Sequence, residues 1–304
     1  MTRPSRPPVS KYSARVRVTF LGVRGSVPVS DAAMLGVGGH TSAIAIGHGD
    51  DVPTLVLDAG TGLRQWGRHV GQVPFRGTIV LGHLHWDHVI GLPFFLGADH
   101  DDGDTTVLVP NQDGASPEEL VGRMMSPPAF PVGPTGLRGR WRFAGYDEGW
   151  HAIGGFDVLA REIPHKGGRT MGLRITDGRS TVAYLSDHAP QQLGPGGDGT
   201  GARHDAALAL ADGADLLIHD AQYTKDELPA RGHFGHAAAE YAVRLADAAG
   251  ARRVVLFHHD PDRTDAEVDA LARTAADQST VRVDAAREGV SVVLDGIVPG
   301  VLGD

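Results

Sequence analysis

Three histidines and an aspartate lie within six positions in the stretch TIVLGHLHWDHVIGLPFF, residues 78–95, directly behind an apolar run. They are His83, His85, Asp87 and His88. Residues 83 and 85 are expected to point the same way, since side chains alternate along a strand, and a tight turn can bring 87 and 88 beside them. Such side chains are costly to bury unless they are paired or bind a metal. Zinc suits imidazole and carboxylate ligands, with iron and manganese as near rivals; the alternative interpretation is a solvated, histidine-rich turn.

The composition limits the classes of protein to consider. The chain has 304 residues, 41% of them hydrophobic, and no cysteine, which excludes disulfides and thiolate metal sites and fits a reducing compartment. Acidic residues outnumber basic ones, 37 to 28, for a net charge of −9. That balance argues against a long nucleic acid as partner. The basic N-terminus lacks the apolar segment of a secretory signal, and no apolar run is long enough to span a bilayer. We therefore expect a cytoplasmic protein with no membrane partner.

Short apolar runs bounded by turn residues predict a series of strands between residues 15 and 295. Residues 1–14 are interpreted as a loose N-terminal tail, and residues 15–304 as one domain. The predicted strands are 15–22, 41–47, 53–60, 77–83, 105–110, 156–162, 170–176, 180–186, 215–220, 252–257 and 290–295.

Helices are fewer and are indicated by their capping residues. Ser116 and Thr264 each begin a capping-box pattern, and the alanine-rich stretch 236–250 ends at a glycine. The stretches 111–140 and 188–203 are rich in glycine and proline and are predicted to be loops. Two sets of strands with interspersed helices predict a layered α/β sandwich in one domain.

HLHWDH resembles the HxHxDH signature of the metallo-β-lactamase superfamily, whose fold is a four-layer αββα sandwich with a dinuclear metal site at one sheet edge. Further pieces match that family's ligands in order: REIPHKGG contains His165, VAYLSDHAP contains Asp187, and VVLFHHDPDRTD contains His258 and His259. The resemblance implies two zinc ions, with manganese or iron as substitutes. It implies that the first metal is held by His83, His85 and His165, the second by Asp87, His88 and His258, and that Asp187 bridges both.

The choice between His258 and His259 rests on alternation along the preceding strand. His258 is favoured because it continues the phase of Val254 and Leu256, provided that those two face the core. His188, beside Asp187, is expected to support the site or to lie at the surface. The remaining histidines without partners at ligand spacing are taken as ordinary: His40, His48, His69, His100, His151 and His204.

Other segments resemble one branch of the superfamily, which holds RNase Z, phosphonate-pathway phosphodiesterases and cyclic-nucleotide phosphodiesterase-like proteins. They are GVRGSVPVS, GVGGHTSAIAI and LVLDAGTGLR, although turn geometry alone is an alternative explanation for their glycines. His40 stands where asparagine is common in that branch. MMSPPAFPV (124–132) resembles a loop of its small-phosphodiesterase members, which suggests a lid.

Two later segments resemble the proton-transfer motifs of RNase Z. LLIHDAQY places Asp220 where glutamate is common, and FGHAAAEYAVRLA places His236 at the start of a helix. By resemblance, Asp220 and His236 would pass a proton to the leaving group; the alternative is that His236 caps its helix. His219 and His233 are candidates for supporting hydrogen bonds.

These features predict an enzyme, a metal-dependent hydrolase that cleaves small phosphodiesters, cyclic nucleotides among them, through attack by a metal-bound hydroxide that Asp87 helps to orient. RNase Z itself is disfavoured because residues 165 and 187 are only 22 positions apart, which leaves room for one β-hairpin and none for the long tRNA-binding arm of its bacterial members. The expected partner is thus a small anionic phosphodiester and no long nucleic acid, and a homodimer is left open. The alternatives are a lactonase or β-lactamase, an RNase Z-like nuclease, and a non-hydrolytic cofactor-biosynthesis protein.

Overall fold

The computed structural model describes residues 14–295, and within them the chain forms two seven-stranded β-sheets. The strands in chain order are β1 (Val16–Gly22), β2 (Ala43–His48), β3 (Leu55–Leu57), β4 (Arg76–Val80), β5 (Asp104–Pro110), β6 (Arg140–Tyr146), β7 (Gly149–Ile153), β8 (Phe156–Glu162), β9 (Met171–Thr176), β10 (Thr181–Leu185), β11 (Leu216–Asp220), β12 (Arg253–Phe257), β13 (Arg282–Ala285) and β14 (Ser291–Leu294).

Each sheet is half antiparallel and half parallel. The first has the order β14-β1-β2-β3-β4-β5-β6, antiparallel as far as β3 and parallel from β3 to β6. The second has the order β13-β12-β11-β10-β9-β8-β7, parallel from β13 to β10 and antiparallel from β10 to β7.

Helices cover the outer faces of both sheets. They are α1 (Trp66–His69), α2 (Trp86–Val89), α3 (Pro117–Gly122), α4 (Asp205–Ala211), α5 (Leu228–Arg231), α6 (Ala239–Ala249) and α7 (Asp265–Ala276). The capping boxes predicted at Ser116 and Thr264 are both formed. Within residues 14–295, no helix is long and apolar enough to cross a membrane.

Alternating side chains divide the core into layers, as β10 illustrates. Val182 and Tyr184 point into the apolar layer between the sheets, whereas Ala183 and Leu185 point outwards and pack with side chains of α4 and α6. A third apolar layer joins the first sheet to its own helices and includes Val56, Ile79 and Trp66. The predicted αββα sandwich is confirmed.

The strands that matter for the site end at one edge of the sandwich. In the first sheet β3 and β4 are parallel, so their carboxyl ends meet there. In the second sheet β10, β11 and β12 are parallel, and β8 runs in the same direction because both β8 and β10 are antiparallel to β9. Polar side chains beyond the carboxyl ends of such strands form the usual ligand-binding crevice of α/β sheets.

Several predicted boundaries need correction. The strand predicted over 77–83 ends at Val80, so His83 lies on the loop beyond it. β6, β7, β13, α1, α2, α4 and α5 were not predicted; β6 and β7 are largely exposed, and their mixed sequences give no clear apolar run. Residues 1–13 of the predicted tail lie outside the described residues, as do 296–304, so the single-domain assignment of 15–304 stays a prediction.

Candidate metal centre

The loops after β4, β8 and β10 bring one group of potential metal ligands together. His83 and His85 follow β4, His165 follows β8, and Asp187 follows β10. One nitrogen or oxygen from each of these side chains lies within 4.8 Å of the others. Nδ1 of His85 lies 3.2 Å from Nε2 of His165, and Oδ2 of Asp187 lies 3.5 Å from Nε2 of both His83 and His165.

The state of these imidazoles suits a metal. Nε2 of His83 is buried and has no hydrogen-bond partner within the described residues, a situation that costs about 1–3 kcal/mol unless a ligand compensates it. Burial holds the pKa of His83 well below its ordinary value and lowers the pKa of His165 to about 4. Both rings are therefore neutral near pH 7, as nitrogen ligands must be.

The second group contains Asp87, His88, His258 and again Asp187. Nε2 of His88 and Nε2 of His258 are 3.3 Å apart. Oδ2 of Asp87 lies 3.2 and 3.0 Å from these two nitrogens, and Oδ1 of Asp187 lies 3.0 and 3.1 Å from them. Two imidazole nitrogens and two carboxylate oxygens thus converge on one point, which is a donor set suited to zinc.

The far nitrogens of three rings are held by acceptors outside the site. Nδ1 of His88 lies 2.7 Å from Oδ2 of Asp58, Nδ1 of His165 lies 2.7 Å from the carbonyl of Gly235, and Nδ1 of His258 lies 3.2 Å from Oε1 of Gln222. When Nδ1 donates to such an acceptor, the lone pair of Nε2 points into the site. The residues present therefore fit a metal.

Charge balance in the second group depends on buried carboxylates. Burial alone would lower the pKa of His88, but the negative charges of Asp187, Asp87 and Asp58 raise it well above its ordinary value. Burial would raise the pKa of Asp187, but the neighbouring imidazoles of His258 and His88 hold it well below its usual range. The site concentrates negative charge that a cation would neutralise.

Three residues of the site adopt left-handed backbone conformations. Asp58, Asp187 and His258 have φ values of 56°, 56° and 58° and follow β3, β10 and β12. Such conformations cost non-glycine residues about 1–3 kcal/mol and persist where the surroundings fix them. At these positions the left-handed turn interrupts the alternation of side chains along the strand. The side chain then points across the edge of the sheet.

The structure places His258, not His259, in the second group, but alternation along β12 is not the reason. Val254 and Leu256 face the helical layer, so they do not set the phase that the argument assumed. The left-handed φ of His258 turns its ring back to the site. Nε2 of His259 instead lies 2.9 Å from the carbonyl of Ala286.

Asp220 and His236 lie together beside the two groups. Nδ1 of His236 is 2.9 Å from Oδ2 of Asp220 and 4.0 Å from Oδ2 of Asp187, and its ring stacks on that of His258 with centroids 4.9 Å apart. The backbone N–H of Gln222 donates to Oδ1 of Asp220 at 3.0 Å, which fixes the carboxylate. Asp187, Asp220, His236 and His258 also form a third group that could hold an ion, an alternative to the proton-transfer pair.

The other histidines lie outside the two donor groups. His188 is buried, as a supporting residue would be, and lies between His219 (2.9 Å) and His204 (3.1 Å), so His204, which was taken as ordinary, contacts a buried histidine. His40 contacts Glu288 and Gln65, which places it in a hydrogen-bonded network. His233 is exposed and lies against Phe234.

Sequence reasoning missed Asp58, Ser26 and Gln222. Asp58 is fully buried and also accepts hydrogen bonds from Tyr184 (2.5 Å) and from the backbone N–H of Gly82 (2.7 Å). Ser26, with φ of 63°, donates its backbone N–H to Oδ2 of Asp87 at 2.7 Å. Asp58 could have been found from the sequence, because it is a carboxylate that directly follows the apolar run LVL in the segment LVLDAGTGLR.

Comparison with known proteins places this geometry in context. A family model described as the beta-lactamase superfamily domain matches residues 54–259. Ribonuclease Z of Natronomonas pharaonis is 26% identical over 283 residues, covering 80% of this chain and 86% of that protein. Ribonuclease Z of Halorubrum lacusprofundi is 27% identical over 303 residues, covering 89% and 91%.

Solved structures agree in fold. The metallo-beta-lactamase fold protein YhfI from Bacillus subtilis superposes with a TM-score of 0.70 at 20% identity, covering 92% of this chain and all of that one. A diphosphatase of the PhnP family gives 0.66 at 16% identity, covering 93% and 99%. Zn²⁺-bound PqqB from Methylobacterium extorquens gives 0.62 at 16% identity, covering 91% and 99%. At these identities the likeness shows the fold alone.

The relatives correct the predicted partner. The prediction of a small-molecule substrate and no long nucleic acid is wrong, because the relatives that cover most of this chain are named for cleaving RNA. The physical error was to use the net charge of −9, which sums over the whole molecule, to judge a site where cations can act locally. The hairpin predicted between residues 165 and 187 does form, as β9 and β10, but its shortness does not exclude RNA.

We expect metal-replete protein to bind about two zinc-class ions per chain, since the two donor groups are nearly complete. Asp187→Ala should lower occupancy of both sites, because its two oxygens face one group each, whereas His165→Ala should empty chiefly the first. Elemental analysis after gel filtration measures this. One ion or none in the parent protein would contradict the dinuclear interpretation.

Asp58→Asn should weaken the second site by about 10- to 100-fold in metal affinity, because the amide no longer orients and polarises His88 through a charged hydrogen bond. Chelator competition measures the affinity. Asp177→Asn is the matched control, since Asp177 is a buried carboxylate that lies 3.3 Å from His48 away from the site. Equal losses in both variants would mean that Asp58 acts on stability rather than on the metal.

Proposed function

Because the chain belongs to the metallo-β-lactamase superfamily, we propose that it is a dinuclear metal-dependent phosphodiesterase. The family confirms the coarser prediction, a hydrolase with the metallo-β-lactamase fold. The class of bond cleaved is our proposal, and so are the ligand roles of His83, His85, Asp87, His88, His165, Asp187 and His258. The cytoplasmic location stays a prediction.

Zinc is the proposed metal at both sites, with manganese or iron able to replace it. Imidazole and carboxylate donors support that choice, and so does the zinc in a structural neighbour, PqqB. A pair of divalent ions would supply a water activated at neutral pH and would neutralise charge on the substrate's oxygens. Asp87 would hold the attacking water in line, because its carboxylate is fixed by Ser26 and His258 at the centre of the site.

The observation that carries the proposal is the Asp220–His236 pair. A phosphodiester expels an alkoxide, which needs a proton as the bond breaks. Asp220 holds Nδ1 of His236, so Nε2 is the atom that would deliver the proton. His236 is 7% exposed, which leaves contact with a bound substrate while excluding most water.

RNA belongs among the proposed substrates. This chain aligns with 86% and 91% of the length of two relatives named ribonuclease Z. A structural neighbour from the PhnP family is a diphosphatase. All these names concern phosphorus–oxygen bonds, which favours phosphodiesters over lactones.

The proposal is tested by assaying zinc- and manganese-loaded protein on an oligoribonucleotide, precursor tRNA, bis(p-nitrophenyl) phosphate, a lactone and a β-lactam. We expect kcat/KM for the phosphodiesters to be well above kcat/KM for the lactone or the β-lactam. Efficient lactone or β-lactam hydrolysis without cleavage of any diester would contradict it.

His236→Ala should keep both metals and slow cleavage of a diester with a ribose leaving group by about 10²–10⁴-fold, because the alkoxide then leaves without a proton. The defect should shrink for p-nitrophenolate, which leaves well unprotonated. Asp220→Asn should cause a smaller loss of the same kind. Steady-state rates on the two leaving groups measure the contrast.

Metal analysis of the same preparations provides the control for that contrast. If His236→Ala loses metal, the third donor group holds an ion and His236 is a ligand. If it is impaired equally on both leaving groups, it acts in binding or structure instead.

A further inference from the structure

We propose that Trp86 and Phe234 form an aromatic clamp at the mouth of the metal centre, which binds the nucleobases on the two sides of the scissile phosphate. The proposal rests on the proposed phosphodiesterase function and specifies its substrate: a strand bearing bases rather than a bare alkyl diester. Lys166, whose ammonium lies over the Phe234 ring, would contact a neighbouring phosphate.

Trp86 is held at the site by its chain neighbours. It lies between His85, a member of the first donor group, and Asp87, a member of the second, so its Cα is about 3.8 Å from each of theirs. In α2 the residues after it, from Asp87 to Val89, are buried, while Trp86 itself is 73% exposed. Ile90, one turn further on, is 39% exposed and extends the same apolar surface.

Phe234 lies on a different loop and has the same relation to the site. It is 48% exposed and precedes Gly235 and His236. The ammonium of Lys166 lies 5.5 Å from the centroid of the Phe234 ring and donates to the carbonyl of His233 at 2.5 Å. Within residues 14–295 no carboxylate oxygen lies within 4 Å of that ammonium, so its charge is available to an anion.

Close packing makes the two aromatic residues part of one rim. A Cβ added to Gly167 would lie 2.7 Å from Nε2 of His85, so the loop after His165 lies against the residue that precedes Trp86. A Cβ added to Gly235 would lie 3.2 Å from Nδ1 of His165 and 3.5 Å from Cγ of Lys166. The rim therefore runs from Trp86 through Gly167 and Lys166 to Phe234.

The chemistry of this rim matches a nucleic acid strand better than an apolar peptide. Large apolar side chains are exposed next in sequence to the donor groups, with a cation over the Phe234 ring, and a strand offers flat bases on either side of a phosphate. Stacking on an aromatic ring strengthens binding by about 5- to 150-fold per base and tolerates every base. The clamp should therefore hold the scissile phosphate over the metals with little sequence preference.

The test compares a dinucleoside phosphate with its analogue lacking both bases, which keeps the sugars, the phosphate and the leaving group unchanged. Trp86→Ala and Phe234→Ala should each lower kcat/KM for the dinucleotide by about 10-fold, mainly through KM, and change it for the abasic analogue by less than about twofold. Trp86→Phe should retain most of the affinity. Trp150→Ala is the matched control, since Trp150 is 51% exposed on the edge strand β7.

A second readout does not depend on turnover: fluorescence anisotropy of a labelled oligouridylate on metal-loaded protein should weaken in Trp86→Ala and Phe234→Ala but not in Trp150→Ala. If the parent protein cleaves both diesters equally well, or if the variants lose activity equally on both, the clamp is wrong while the phosphodiesterase stands. If no diester is cleaved, the proposed function fails and anisotropy alone decides the clamp. Unchanged binding in both clamp variants would overturn it.

Discussion

The carboxylate of Asp187 lies between two sets of imidazoles, and the arrangement of the site depends on it. Its Oδ2 lies 3.5 Å from Nε2 of His83 and His165, while its Oδ1 lies 3.0 and 3.1 Å from Nε2 of His88 and His258. A charge that is 1% exposed is tolerated only where opposite charges and donors surround it. The loops after β4, β8 and β12 meet that requirement together, which is why two sheets, rather than one, build the centre.

The sandwich supplies the rigidity that this convergence needs. Asp58, Asp187 and His258 each adopt a left-handed backbone at a strand end, a strain that the packed strands below them must balance. Tyr184 connects the core to the site directly. Its ring belongs to the apolar layer between the sheets, and its hydroxyl donates to Asp58, which in turn holds His88. A change in the core can therefore reach the metal site through one hydrogen-bonded chain.

Much of this could be predicted because the proposed ligands follow apolar strands in a fixed order, and the parallel ends of those strands share one edge. What could not be predicted depends on contacts between distant segments. Asp58 acts on His88 from 30 positions away, and Ser26 on Asp87 from 61. The turn at His258 is a backbone conformation that alternation cannot anticipate. The prediction that no long nucleic acid binds failed because net charge averages over the whole surface, whereas cations at a site act locally.

The most direct test of the account is a crystal structure of zinc-loaded protein with anomalous scattering measured at the zinc edge. We expect two peaks, both in contact with Asp187: one about 2.0–2.1 Å from nitrogens of His83, His85 and His165, and one at similar distances from His88 and His258. In that structure Nδ1 of His236 should still contact Asp220, and His236 should coordinate neither metal. A single peak, or a peak ligated by His236 and Asp220, would contradict the account.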